Sequence, residues 1–155
     1  MSGNADADVQ LQQYLNQYPN GAYATNAHFY LAEMKYKEGN FGEANSHYSF
    51  VANQADNIFT EQALARSAEL TYNSGDYYTA LDLFNRLDEK STGKWNSLRA
   101  NTGQMRCQLI NQNYQAVIVA AEKVNKSDVA NEALKKETDY AIGKSNYELG
   151  NLSSA

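Results

Sequence analysis

The chain has 155 residues, 13 Lys and Arg against 18 Asp and Glu for a net charge of −5, 43% hydrophobic residues, a single proline and a single cysteine. It is long enough for one continuous core, and no uninterrupted apolar run approaches the length of a membrane-spanning helix. Charge is uneven: residues 1–90 hold 5 basic and 12 acidic side chains (−7), residues 91–155 hold 8 and 6 (+2). An acidic half without a coherent basic surface argues against nucleic acid as a ligand, and suits a polarised protein or peptide partner, or simply solvated helix faces.

Taken in chain order, apolar residues at helical spacing predict helices near 7–18, 22–38, 41–54, 57–74, 77–89, 94–111, 114–125 and 128–149, with no strand. The first ends at Tyr18-Pro19-Asn20, where the only proline stops it. Four later corners carry one phrase: Tyr36-Lys37-Glu38-Gly39-Asn40-Phe41, Tyr72-Asn73-Ser74-Gly75-Asp76-Tyr77, Leu109-Ile110-Asn111-Gln112-Asn113-Tyr114 and Tyr147-Glu148-Leu149-Gly150-Asn151-Leu152. Positions 39, 75, 112 and 150 are 36, 37 and 38 residues apart, which is the signature of a repeat array. In each phrase Gly, or Gln112 in the third copy, stops a first helix, and Asn or Asp caps a second.

The second helices open with an aromatic or Leu and place a small or apolar residue three further on: Phe41/Ala44, Tyr77/Ala80, Tyr114/Val117 and Leu152/Ala155. Seven residues before each corner stand Ala32, Ala68, Met105 and Gly143, three of them small enough for backbones to approach. Leu31, Ala32, Phe41, Ala44, Tyr48, Ala68, Tyr77, Ala80, Phe84, Tyr114 and Ile142 are expected to be buried. Leu at Ala44 or Ala80 is expected to overpack its hairpin by about 1–3 kcal/mol, read as a lower melting temperature.

With these residues in view, the chain resembles the tetratricopeptide repeat family. Leu31, Ala32, Gly39, Phe41, Ala44 and Tyr48 match the pattern, as do Ala68, Gly75, Tyr77, Ala80 and Phe84 in the next copy. Departures are His28, Leu64, Asn101 and Asp139 at the Trp position, Lys35, Thr71, Gln108 and Asn146 at the first Tyr position, and Gln112 for Gly. The resemblance implies an all-α fold, a right-handed superhelical array of antiparallel helix hairpins. Its repeats lie at about 25–60, 61–97, 98–135 and, incomplete, 136–155, in one array over 1–155 preceded by the helix 7–18.

The stretch from Tyr14 to Ala27, with its Tyr-Pro-Asn phrase, is similar to repeats of bacterial cell-envelope proteins, such as the periplasmic Tol-Pal accessory protein and the lipoprotein of the outer-membrane assembly machine. That similarity implies a periplasmic or envelope-associated location, with the cytoplasm left open. Residues 1–8 have no apolar core and cannot be a secretory signal. The chain stops at Ala155, where a second helix begins, and is therefore expected to be a fragment of a longer repeat protein, leaving room for a signal or anchor outside it.

Candidate chemistry is sparse. Gly143-Lys144-Ser145 resembles the end of a phosphate-binding loop, but Thr138 stands where that loop requires Gly. His28 and His47 have neither i, i+4 spacing nor a cysteine nearby, so no zinc site is expected; His28 is read as a helix-packing residue and His47 as an exposed one. Cys107 is read as a small buried hydrophobe rather than a reactive thiol. Glu33 and Glu69 recur at equivalent positions, which suggests a groove rather than an acid–base pair. No enzymatic activity, cofactor or metal is expected.

Helical spacing places on the open face of the first helices Asn26, Phe29, Glu33 and Tyr36, then Gln62, Ala65, Glu69 and Tyr72, then Arg99, Thr102, Arg106 and Leu109, then Glu137, Tyr140, Lys144 and Tyr147. Three of these, Tyr36, Tyr72 and Tyr147, also suit a core. The family resemblance implies that a protein or peptide segment binds along this concave face. The expected function is a non-enzymatic interaction scaffold, with a regulatory or targeting domain of a larger enzyme or membrane-associated protein as the alternative. Weak self-association is expected through a C-terminal end that leaves Ile142, Tyr147 and Leu149 partly uncovered.

Overall fold

The computed structural model describes residues 3–150, which form eight helices and no strand among the described residues: α1 (Gly3–Gln17), α2 (Ala24–Lys37), α3 (Phe41–Ala52), α4 (Thr60–Asn73), α5 (Tyr77–Lys90), α6 (Lys94–Ile110), α7 (Tyr114–Asn125) and α8 (Glu132–Glu148). Neighbouring helices pack on one another: α2 on α3 and α6 on α7 form hairpins about their corners, as the sequence predicts, and α5 on α6 and α7 on α8 join one hairpin to the next. The clearest shifts of boundary are α1, which begins before residue 7, and two later starts fixed by capping asparagines. At α4, Asn57 Oδ1 accepts from Phe59 N–H at 2.9 Å while its own N–H donates to Thr60 Oγ1 at 2.9 Å. At α8, Asn131 Oδ1 accepts from Leu134 N–H at 2.9 Å.

The corners share one backbone. Gly39, Gly75 and Gly150 have φ of 78°, 90° and 75°. Gly39 N–H donates to Tyr36 O at 3.1 Å and Asn40 N–H reaches back to Lys35 O at 2.9 Å; the corner at Gly75 repeats this with Tyr72 at 3.0 Å and Thr71 at 3.3 Å. These paired bonds satisfy the last carbonyls of one helix and hand the chain to the cap of the next. Asn40 then accepts from Glu43 N–H at 3.3 Å and Asp76 from Thr79 N–H at 3.0 Å. Asn113 holds the equivalent place without a side-chain cap bond; Asn151, Leu152 and Ala155 lie outside the described residues.

Gln112 fills the third corner at φ 58°, the one positive φ outside glycine among the described residues, and the same bonds form, to Leu109 at 3.2 Å and from Asn113 to Gln108 at 2.9 Å. A side chain in the left-handed region costs roughly 1–2 kcal/mol. Gln112→Gly is therefore expected to stabilise the protein by about 1 kcal/mol, less the entropy glycine loses on folding. A higher urea midpoint at unchanged slope is the reading that supports it.

The chain divides into two compact units, Met1–Leu70 and Thr71–Ala155, with the boundary in the last turn of α4. In the first, Leu31, Ala32, Ala44, Tyr48 and Val51 are fully buried where α2 meets α3, and Ser67 of α4 donates to Asn45 Oδ1 of α3 at 2.8 Å. In the second, Ala80, Phe84 and Leu87 of α5 are buried with Ala100 and Gly103 of α6. A further cluster joins Met105, Val117, Ala121 and Ala141, with Leu109 and Ile142 packed against it from the side.

Four residues expected in the core depart from it. Phe41 is 51% exposed, and Tyr77, Tyr114 and Ile142 are half-buried. Phe41, Tyr77 and Tyr114 are the first residues of their helices, one step outside the zone where a hairpin's two helices touch. Two of them clip the corner instead: Phe41 meets Tyr36 edge-on with ring centroids 5.3 Å apart, and Tyr77 meets Tyr72 the same way at 5.2 Å.

Candidate protein-binding face of the first helices

In the first unit the expected face of α2 and α4 is largely tied up in a network between the two helices. Glu33 accepts from the Tyr48 hydroxyl at 2.6 Å and from Gln62 Nε2 at 3.0 Å. Burial, then the bond to Glu33, raises the Tyr48 phenol above its usual pKa and keeps it a donor. The Arg66 guanidinium lies 4.5 Å from the centre of the Tyr36 ring, donates to the Tyr36 hydroxyl at 3.3 Å and stands 3.9 Å from Glu69. Phe29 is 6% exposed, stacked on Phe59 at 4.2 Å, so it is a core residue and offers no contact surface. Asn26, Tyr36 and Glu69 are half-buried, Ala65 is buried and Gln62 is exposed.

In the second unit Thr102 is buried, Tyr72 and Leu109 are half-buried, and Arg99 is exposed. Arg106 of α6 grips Glu137 of α8 with two parallel bonds, Nε to Oε1 at 2.6 Å and a terminal nitrogen to Oε2 at 2.7 Å. Those bonds hold the Glu137 carboxyl below the usual carboxylate range and raise Arg106. Both side chains are more than a third exposed, which limits the pair to about 1 kcal/mol or less. Beyond it α8 is open: Tyr140 is 66% and Tyr147 65% exposed, and Lys144 between them is exposed too.

No catalytic constellation emerges from these groups. Glu33 and Glu69 are engaged in packing, Cys107 is buried with its thiol pushed up to about 11 by desolvation, and Gly143 and Ser145 lie inside α8. Among the described residues no three His, Cys, Asp or Glu side chains are grouped to hold a metal, and no helix is long and apolar enough to cross a membrane.

His28 is a packing residue, as expected, and His47 departs from expectation. His47 is half-buried rather than exposed, with its Nδ1 2.8 Å from Nδ1 of His28, one nitrogen donating to the other. The His28 ring also stacks on Phe50 at 3.7 Å. Burial, then the charge of His47, lowers His28 to about 4, and burial lowers His47 as well.

Sequence reasoning missed Arg66 and Phe59, which decide how much of the face stays open. The spacing of Arg66 to Glu69 was a visible signal for a helix-surface ion pair; the ring stack of Phe59 on Phe29 had none.

Recurrent hairpins with shared corners, and polar ties passing from one first helix to the next, define an α-helical repeat protein. The model of the tetratricopeptide repeat-like domain matches residues 2–102, about two thirds of the chain, and the protein belongs to that family. The structure carries the same corner geometry on to Gln112 and Gly150, beyond the matched residues. No curated protein matches the chain. Repeat folds of this class are typically non-catalytic scaffolds for protein interaction.

Proposed function

We propose that the protein is a non-enzymatic scaffold whose first helices present a face to a protein or peptide segment, as part of a bacterial envelope assembly. The observation that carries the binding role is the open face of α8, where Tyr140, Lys144 and Tyr147 stand exposed while the corresponding side chains of α2 and α6 are engaged. Exposed tyrosines beside a lysine supply contact area at small entropic cost, together with a charge to set orientation. The envelope assignment rests on the similarity of the Tyr14–Ala27 stretch to envelope repeat proteins.

A photocrosslinking amino acid at Tyr140, in the native host, is expected to capture a discrete envelope protein. The same group at Tyr78, 83% exposed on α5, is the control and is expected to capture nothing discrete. Equal yields at both positions, or none at Tyr140, would remove the scaffold reading, and a cytoplasmic adduct would remove the envelope assignment alone.

A further inference from the structure

Two ties cross from one first helix to the next at nearly the same level. Glu33, six residues before the corner at Gly39, holds Gln62 of α4; Arg106, six before the corner at Gln112, holds Glu137 of α8. Lys144 stands six residues before the corner at Gly150 and is the counterpart of Arg106, 38 residues on. It is exposed and makes no hydrogen bond or ion pair among the described residues.

The rest of that face fits the same pattern. Tyr140 and Tyr147 lie one turn to either side of Lys144 with their rings in solvent, and Lys136, also exposed and unpaired, extends the stripe by two turns. Glu137 is turned aside to Arg106, and the exposed Glu132 and Glu148, one turn beyond Lys136 and Lys144 at the two ends of the helix, are bonded to neither lysine among the described residues. Gly143 adds a shallow place between the tyrosines, since a Cβ there would meet no atom within 4 Å. The stripe is thus a cation flanked by aromatic rings on a helix whose repeat counterpart, α6, already receives a helix bearing a glutamate.

We propose that this face of α8 docks an α-helical partner segment carrying a carboxylate level with Lys144, in the way α8 itself sits on α6 through Glu137. The proposal rests on the scaffold reading above and names the partner class for this face. Charge complementarity sets the register, and the tyrosines supply the contact area.

The probe is a synthetic peptide of residues 131–149, the helix that satisfies Arg106, titrated into the isotopically labelled full chain. Saturable amide shifts are expected at Tyr140, Lys144 and Tyr147. Lys144→Glu in the chain is expected to weaken binding about tenfold, and the same peptide with Glu137→Lys to recover most of that loss in the Lys144→Glu chain. Because Lys144 is exposed, the variant keeps its fold, which its amide spectrum checks. Equal binding by parent and Lys144→Glu chains, or shifts that map away from α8, would overturn the proposal. So would a doubled mass in light scattering without peptide that Lys144→Glu abolishes, because that result assigns the face to a second copy. Loss of the Tyr140 crosslink with peptide binding intact removes the scaffold reading in the cell and leaves the chemistry of this face standing.

Discussion

Gly103→Val is expected to cost about 3 kcal/mol, and Gly103→Ala about 1–2 kcal/mol net. Gly103 lies in α6 where it crosses α5, and a Cβ there would stand 2.4 Å from three atoms of the Phe84 ring. The ring is itself 4% exposed, so it has no free space to turn into. Alanine recovers roughly 1 kcal/mol of helix propensity over glycine, which softens its penalty without reversing it. Gly143 is the built-in control. It too is inside a helix, but nothing lies within 4 Å of its Cβ position, so Gly143→Ala is expected to gain about 0.5–1 kcal/mol. Urea midpoints for the three variants decide the matter. A Gly103→Ala chain as stable as the parent would show that Phe84 does not press on α6.

Gly103 also shows where sequence reading stops. The helices and corners were legible because they are set locally. Glycine with Asn or Asp after it forces a left-handed stop and a cap within six residues, and the structure repeats those corners at Gly39 and Gly75 almost bond for bond. Even Gln112, which breaks the pattern, adopts the pattern's φ, because the hairpins on both sides of it impose the turn. Close approach between α5 and α6 was not legible: the small-residue rhythm of the first helices runs through Ala32, Ala68 and Gly143, with the large Met105 in its third copy, and Gly103 lies outside it. A glycine in the middle of a helix was the available signal, since it persists there only for packing or function.

The candidate face was legible as a set of positions and not as a surface. Spacing puts Glu33, Glu69, Arg106 and Lys144 at one level of the four first helices, but it does not say which of them already has a partner. That depends on side chains about 30 residues away, as in Glu33 with Gln62 and Arg106 with Glu137. Phe29 illustrates the same limit. It has the helical phase of an open-face residue, yet Phe59, in the loop ahead of α4, stacks over it and removes it from solvent. The residues left free on α8 are therefore informative in a way that the periodicity alone was not.

Acidification is expected to weaken the first unit through the histidine pair. In the unfolded chain His28 titrates near 6.5, whereas burial first, and then the charge of His47, lower it to about 4 in the folded chain. Between those values the unfolded state binds the extra proton, so this contribution is fully present above pH 6.5 and is lost as pH falls through about 4. For a shift of that size the loss reaches about 2 kcal/mol at pH 5, less what solvent near a half-buried ring screens. His47 is lowered in the same direction by burial and by Lys35, with Glu43 and Asp8 opposing. The geometry agrees: Nδ1 atoms 2.8 Å apart share one proton, so a proton added to the accepting Nδ1 breaks the bond, and charging both rings sets two cations against each other between α2 and α3. Other carboxylates titrate over part of this range, so the useful quantity is a difference between two proteins. His28→Phe keeps a ring stacked on Phe50 and removes the titrating partner, and its stability is expected to fall between pH 7 and pH 5 by about 1–2 kcal/mol less than that of the parent. Urea unfolding of both proteins at the two pH values is the measurement. Parallel losses in parent and variant would mean that the pair is protonated in the folded chain at little cost, and that the acid sensitivity lies elsewhere.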